Sequence, residues 1–286
     1  MITNAFDYER ASSLDEAIAQ LQNNGEAKLL AGGHSLIPAM KLRLSDPAKL
    51  IDLSGIAGLN NIAEANGRIN IGAMTTHRQV ETSSLVQSKC SALAAAAGGI
   101  GDPQVRNKGT IGGSLAHADP SADYPALVLA LDAVISTKGP GGARDISSDD
   151  FFTGMFDTAL DDAEIITNVS FPVTGNGSGA AYAKFANPAS LYAVVGVAAH
   201  LTVDASGNCT GARIAITGAS PMVFRATAME NALIGSSLDD ASIDAACSHT
   251  PDEDDMLSDL SGSAKYRAHL CGVMAKRAIQ AAKADL

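Results

Sequence analysis

The chain has 286 residues, 46% of them hydrophobic, enough for two domains of ordinary size with sizeable cores. A formal net charge of −11 excludes the cationic footprint of a nucleic-acid binder and disfavours docking on anionic lipid. The four cysteines, Cys90, Cys209, Cys247 and Cys271, form no CxxC pair, which argues against a zinc or iron–sulfur site built by this chain alone and fits a reducing compartment. The stretch from Met1 to Asp7 has no apolar signal-peptide core, and the longest weakly polar run, Ala193 to Val203, falls far short of a membrane span. The expectation is a cytoplasmic chain with no integral membrane segment and no nucleic-acid partner.

Ser13-Leu14-Asp15-Glu16 reads as a capping box ahead of a helix with Leu14, Ala17, Ile18 and Leu21 on one face, closed by Asn24-Gly25. A short strand, Lys28 to Ala31, runs into Gly32-Gly33-His34-Ser35. A helix over Ser35 to Leu44 has Pro38 in its first turn. Lys49 to Leu53 and Arg68 to Ala73 read as strands, so the opening is βαβ-like. An Ala-rich helix over Leu85 to Ala97 ends at Gly98-Gly99-Ile100-Gly101-Asp102-Pro103, and Gln104 to Pro120 reads mostly as loop. Asp123 to Leu131 is a compact helix; Val134 to Thr137 and Glu164 to Phe171 are strands. Val173 to Gly179 is the linker candidate. Beyond it, Ala180 to Phe185, Ala193 to Val203 and Gly211 to Thr217 read as three strands, followed by helices at Ala226 to Ile234, Ala241 to Ser248 and Ala264 to Lys283. Strands followed by helices predict a small α+β domain.

Two loops stand out: Ala31-Gly32-Gly33-His34-Ser35 and Thr110-Ile111-Gly112-Gly113-Ser114. A diphosphate needs converging backbone N–H groups with no Cβ in the way, and paired glycines provide that. Either loop alone fits an ordinary tight turn. The sequence has no GxGxxG and no GxxxxGK[ST], which disfavours a Rossmann or P-loop site.

Together with Asp102 to Lys108, Ala118-Asp119-Pro120-Ser121-Ala122-Asp123-Tyr124-Pro125-Ala126-Leu127 and Glu164 to Pro172, these loops resemble the FAD-binding medium subunits of molybdenum hydroxylases, most of all the carbon monoxide dehydrogenase type. The resemblance runs through essentially the whole chain. It implies an α+β fold: a two-lobed FAD-binding domain (PCMH or vanillyl-alcohol-oxidase-like) over residues 1–175, its subdomain boundary near residue 54, then a C-terminal flavin-covering and docking domain over 180–286 with a three-stranded antiparallel sheet and helices. It implies non-covalent FAD here. The molybdenum cofactor and [2Fe-2S] clusters would sit only on partners, a large molybdenum-binding and a small iron–sulfur subunit, in a dimer of heterotrimers that can be peripheral at the inner membrane face.

The resemblance also implies site residues. Ala31, Gly32, Gly33, His34 and Ser35, with Thr110, Ile111, Gly112, Gly113 and Ser114, would hold the pyrophosphate through backbone N–H groups. Asp123 would accept from a hydroxyl of the FAD, on the adenosine ribose. Ile165 or Ile166 would line the adenine pocket. Lys184 matches a lysine near the flavin. Tyr192 would cover one isoalloxazine face and Ile100 would pack on the other. Two departures are visible: Ser114 stands where many members have Asn, and Asn187 to Leu191 lacks the arginine and acidic residues common before the covering aromatic.

Competing readings exist for several residues. His34 is a covalent flavin anchor or, as favoured here, a loop histidine with local hydrogen bonds. His117 titrates near the cofactor or lies in a plain loop. Asp119 and Asp123 form an acid–base pair or split into a helix cap and a cofactor ligand. Tyr192 is a core residue or a flavin cover. Arg106 and Lys108 sit near phosphate, at a subunit contact, or at neither. The expected activity is flavin-dependent electron transfer with substrate oxidation on a partner chain. A xanthine- or heterocycle-oxidising complex and a stand-alone flavin oxidase are the alternatives, and the acceptor (quinone, NAD or oxygen) is open.

Overall fold

The computed structural model describes residues 2–286. Strands β1 (Asp7–Arg10), β2 (Ala27–Leu30) and β3 (Lys49–Asp52) form a small parallel sheet in the order β1-β3-β2. Parallel neighbours need crossover connections, and the helices Leu14–Asn23 and Leu36–Lys41 supply them. Ala11, Ala17, Ile18, Ala27, Ile51 and Leu53 fill the small core beneath, joined by Ile165. The capping box is shifted from its expected place. Ser13 Oγ accepts from the Glu16 N–H, but the Glu16 carboxylate accepts from the N–H and hydroxyl of Ser12, one residue earlier.

The second sheet is antiparallel. It comprises β4 (Ile62–Ala65), β5 (Arg68–Gly72), β6 (Val134–Gly139), β7 (Gly142–Ser147) and β10 (Ile165–Pro172) in the order β4-β5-β10-β6-β7. A separate hairpin of β8 (Phe152–Gly154) and β9 (Asp157–Thr158) flanks it. The expected single helix over 85–97 is two, Ser84–Lys89 and Ser91–Gly98, broken at Cys90, whose φ of −154° and ψ of 57° cannot continue a helix. A third helix, His77–Thr82, precedes them, closed at its start by a full capping box of Thr76 and Gln79.

The stretch read as loop over 104–120 also contains helices, Pro103–Arg106 and Ile111–His117. Glycine disfavours the second by propensity. Caps stabilise both: Asp102 accepts from the N–H groups of Gln104 and Val105, and Thr110 from that of Gly113.

After residues 173–177 comes a sheet of four strands, not three: β11 (Ser178–Ala186), β12 (Ala193–Val203), β13 (Cys209–Thr217) and the two-residue β14 (Phe224–Arg225), antiparallel in sequence order. Its two faces differ as a period of two requires. Val197, Ile214 and Ile216 face the C-terminal core together with the long helix Ala264–Ala284. Ala180, Ala198 and Ala215 join the central core of the preceding domain. There they meet the helix Tyr124–Ala130, all seven of whose residues are buried. Alanines on this face let sheet and helix approach closely. Burial of each large side chain of that helix contributes about 1.5–3 kcal/mol.

Candidate functional site

The first glycine loop leaves the carboxyl end of β2, beside the end of β3, where Leu30 is in register with Asp52. Ligands in parallel sheets gather outside such strand ends. Gly33 adopts φ +72°, a left-handed conformation that favours glycine. Its carbonyl accepts from the Ile37 N–H to start the next helix. Among the described residues, the N–H groups of Gly32, Gly33, His34 and Ser35 have no acceptor within the protein.

The second loop is stitched to the segment after β5. His77 N–H donates to Gly109 O, Ile111 N–H to Thr75 O and Gly112 N–H to Ala73 O. A Cβ on Gly112 would lie 2.5 Å from that of Ala73, so this glycine is there for close packing.

The two loops touch. A Cβ on Gly32 would lie 2.1 Å from Lys108 O, and one on Gly113 would lie 3.4 Å from the Ala31 Cβ. Segments almost eighty positions apart thus form one floor of bare backbone. A cavity of ≈520 Å³ opens beside it, lined by the whole of Ala31 to His34 and with the cationic Lys41 and Lys108 on its wall.

The two loops differ in how their backbone N–H groups are engaged. Ile111, Gly112, Gly113 and Ser114 donate internally, Gly113 to Thr110 Oγ1 and Ser114 to Thr110 O. Four consecutive unengaged N–H groups belong to the first loop, whereas in the second loop, among the described residues, that of Thr110 alone lacks an acceptor.

The C-terminal domain places Tyr192 at a separate pocket, shared with Asp119, Ser121 and Asn187. Tyr192 follows the turn Asn187–Leu191, which Asn187 ties by accepting the N–H groups of Ala189 and Ser190 on its side-chain oxygen. Tyr192 is 41% exposed, so it is a surface aromatic and not a core residue. Desolvation raises its pKa, with the Asp119 carboxylate adding to this and the nearby Ser35 side chain opposing it.

Asp123 and Asp119 are not an acid–base pair. Asp119 accepts from the Ser121 N–H in a turn. Asp123 is 5% exposed and accepts from Tyr182 Oη at 2.5 Å and Lys184 Nζ at 3.0 Å. Burial raises the Asp123 pKa, opposed by the Lys184 charge. Each carboxylate oxygen is therefore engaged once within the protein. Tyr182 was absent from the sequence reading; its signal was the alternation that puts it on the same face of β11 as Lys184.

The remaining expected residues are dispersed. Ile100 packs at the edge of the central core. Ile165 and Ile166 are 2% and 5% exposed and point into different cores. His34 Nδ1 bonds its own loop at Gly32 O, the local arrangement favoured for it. His117 lies against Phe156, and burial lowers its pKa. Arg106 pairs with Glu81 and donates to the carbonyls of Ile100 and Gly101, pinning the backbone there.

Comparison with known proteins matches residues 4–174 to the FAD-binding domain in molybdopterin dehydrogenase and residues 180–282 to the carbon monoxide dehydrogenase flavoprotein C-terminal domain. The carbon monoxide dehydrogenase medium chain of Hydrogenophaga pseudoflava is 39% identical over 99% of this chain and 98% of its own. The alpha subunit of the 6-hydroxypseudooxynicotine dehydrogenase complex of Paenarthrobacter nicotinovorans is 38% identical over 96% of this chain and 93% of its own. The solved carbon monoxide dehydrogenase from Hydrogenophaga pseudoflava lacking the Mo-pyranopterin moiety superposes with a TM-score of 0.95 at 40% identity, covering 100% of this chain and 99% of that one. Among the described residues no helix is long and apolar enough to cross a membrane.

Proposed function

The chain belongs to the family of FAD-binding medium subunits of molybdopterin dehydrogenases, and on that premise we propose that it is the electron-transfer flavoprotein of a carbon monoxide dehydrogenase-type complex. It would take electrons from iron–sulfur clusters on a small partner subunit, fed by a large molybdenum-binding partner, in a dimer of heterotrimers. The observation that carries the reading is the contact between the two glycine loops, where the space a Cβ would need at Gly32 is already filled by Lys108 O.

The residues present fit FAD. When bound, FAD supplies two-electron and one-electron redox chemistry, and the protein supplies position and electrostatics. The free N–H groups of Gly32 to Ser35 are suited to a pyrophosphate, with Lys41 and Lys108 as nearby cations. Ser114, Thr110, Ile111, Gly112 and Gly113 complete the cradle as close-packed surface, and Ala31 and His34 frame its other side. Ile165 or Ile166 would border the adenine. Tyr192 and Ile100 would lie on opposite faces of the isoalloxazine, excluding water from it. Asp123 would act from behind these residues through Lys184.

A second reading, a complex that oxidises N-heterocycles, is favoured by the 38% identity to the 6-hydroxypseudooxynicotine dehydrogenase subunit, scarcely below that of the carbon monoxide dehydrogenase chain. The test is purification from the native host with its co-purifying chains. Flavin and iron–sulfur absorbance together with two further chains is the expected result, followed by assays with carbon monoxide and N-heterocycles. Full activity from this chain alone would overturn the assembly.

A further inference from the structure

Strand β11 brings Tyr182 and Lys184 onto the single buried carboxylate of Asp123. An ammonium has three N–H bonds to donate and no lone pair. Lys184 directs one to Asp123 Oδ2 at 3.0 Å, one to Gly99 O at 2.8 Å and one to Leu191 O at 2.8 Å. The three acceptors come from three separate segments. Gly99 immediately precedes Ile100, and Leu191 immediately precedes Tyr192.

We propose that Lys184 is a positioning residue and not a cofactor contact: its ammonium is a three-point strut that fixes the backbone of Ile100 and Tyr192 relative to one another. The inference rests on the reading above in which these two residues flank the isoalloxazine. It departs from the expectation that the lysine itself meets the flavin, because its donors are all committed.

The surroundings hold the strut rigid. The side chains of Lys184 and Asp123 are 11% and 5% exposed, so neither charge has water to replace its partner. Tyr182 fixes the other oxygen of Asp123, and Gly196 makes room for it: a Cβ there would lie 2.1 Å from the Tyr182 hydroxyl. Leu191 is held at φ +60°, a conformation that a leucine keeps only where its neighbours impose it. The Lys184 bond to its carbonyl is one such constraint.

The test compares Lys184→Met in two backgrounds of the complex isolated with its partners: the natural chain and a chain carrying Ile100→Ala and Tyr192→Ala. Residues that act through one another are non-additive. In the natural background Lys184→Met is expected to weaken FAD retention about tenfold, within the range of coupled neighbours, and to brighten the bound flavin's fluorescence as Tyr192 moves off the ring. In the altered background it should change retention by less than about twofold and leave fluorescence unchanged. An equal loss in both backgrounds would mean direct contact with the cofactor and would overturn the proposal, as would no loss in the natural one. If Lys184→Met fails to assemble, Lys184→Arg goes through the same comparison: it keeps the charge beside Asp123 but cannot reproduce the three-point geometry. A natural complex with no flavin would sink the flavoprotein reading itself, a result distinct from a flavin-bearing complex in which the two backgrounds agree.

Discussion

Gly32 lies with its Cα against the carbonyl of Lys108, so that a Cβ would fall 2.1 Å from that oxygen and 2.7 Å from the Gly109 Cα. Both obstacles are backbone, which cannot rotate aside. Gly32→Ala therefore has to part the two loops. Overpacking of this kind costs about 1–3 kcal/mol, and FAD retention should fall with it. Gly25→Ala is the control: nothing lies within 4 Å of its added Cβ, and its effect should stay within about 0.5 kcal/mol. Thermal unfolding and flavin content of the two variants check this, and similar behaviour would refute the close-contact argument.

Glu164 accepts from Arg144 Nε at 2.7 Å, Arg144 Nη2 at 2.6 Å, Thr137 Oγ1 at 2.5 Å and the Asp161 N–H at 2.7 Å. The Arg144 hydrogen bonds, before the others, hold its pKa down from 4.5 to about 2. A carboxylate depressed in the fold adds stability that is complete above its unfolded pKa and is lost as pH falls through its folded one. The loss should fall between about pH 4.5 and 2. Glu164→Gln should remove that slope and lower stability at neutral pH by about 1.5–3 kcal/mol, the range for hydrogen bonds to charged groups. Denaturant titrations across this window measure both effects.

His77 illustrates the opposite charge type with the same sign. Burial, ahead of the nearby charges of His34 and Arg106, lowers its pKa from 6.5 to about 4. Its ring lies 5.3 Å from that of Tyr124 and packs so tightly on Gly109 that a Cβ there would meet Nε2 at 2.5 Å. Below pH 6.5 the unfolded chain takes up a proton that the folded chain refuses, so stability falls as pH drops towards 4, by up to about 3 kcal/mol. His77→Leu should flatten that part of the profile. An unchanged slope would show that the imidazole is not held neutral.

The sequence was most legible where burial repeats with a fixed period. Ala193 to Val203 alternates between two covered faces, and β12 has the bounds read from sequence. Legibility failed where tertiary contact overrides local preference. Ile111–His117 is helical despite Gly112 and Gly113 because Thr110 caps it and Ala73 packs beneath it. Asp7–Arg10 carries no apolar alternation, all four residues being exposed; backbone pairing with Lys49–Asp52 makes it a strand. At the site, the glycine pairs were visible, but their division of labour was not, since it depends on which N–H groups Ala73, Thr75 and Thr110 consume. The Lys184 strut was hidden for a simpler reason: two of its acceptors are main-chain carbonyls, which have no sequence identity.

Arg213 and Arg225 both reach Asp149 from the C-terminal domain, at 2.7 and 3.4 Å, yet their removal should have unequal consequences. The carboxylate partners of Arg213, Asp132 and Asp149, are 59% and 44% exposed, so water replaces the arginine once it is gone. Arg213→Met should cost about 1 kcal/mol, the upper end for exposed pairs, with a small addition for the lost bond to Leu129 O. Arg225 instead neutralises Glu230, whose side chain is 6% exposed and which also accepts from the Ile214 N–H. Arg225→Met leaves that carboxylate buried without a counter-charge, a change that costs about 3–5 kcal/mol. Arg225→Met paired with Glu230→Leu should recover part of the loss, because it removes the stranded charge as well. Equilibrium unfolding of the three variants decides the matter. If Arg213→Met proves the more damaging, the bond across the two domains outweighs the buried carboxylate, and the stability of this flavoprotein is set at its domain junction.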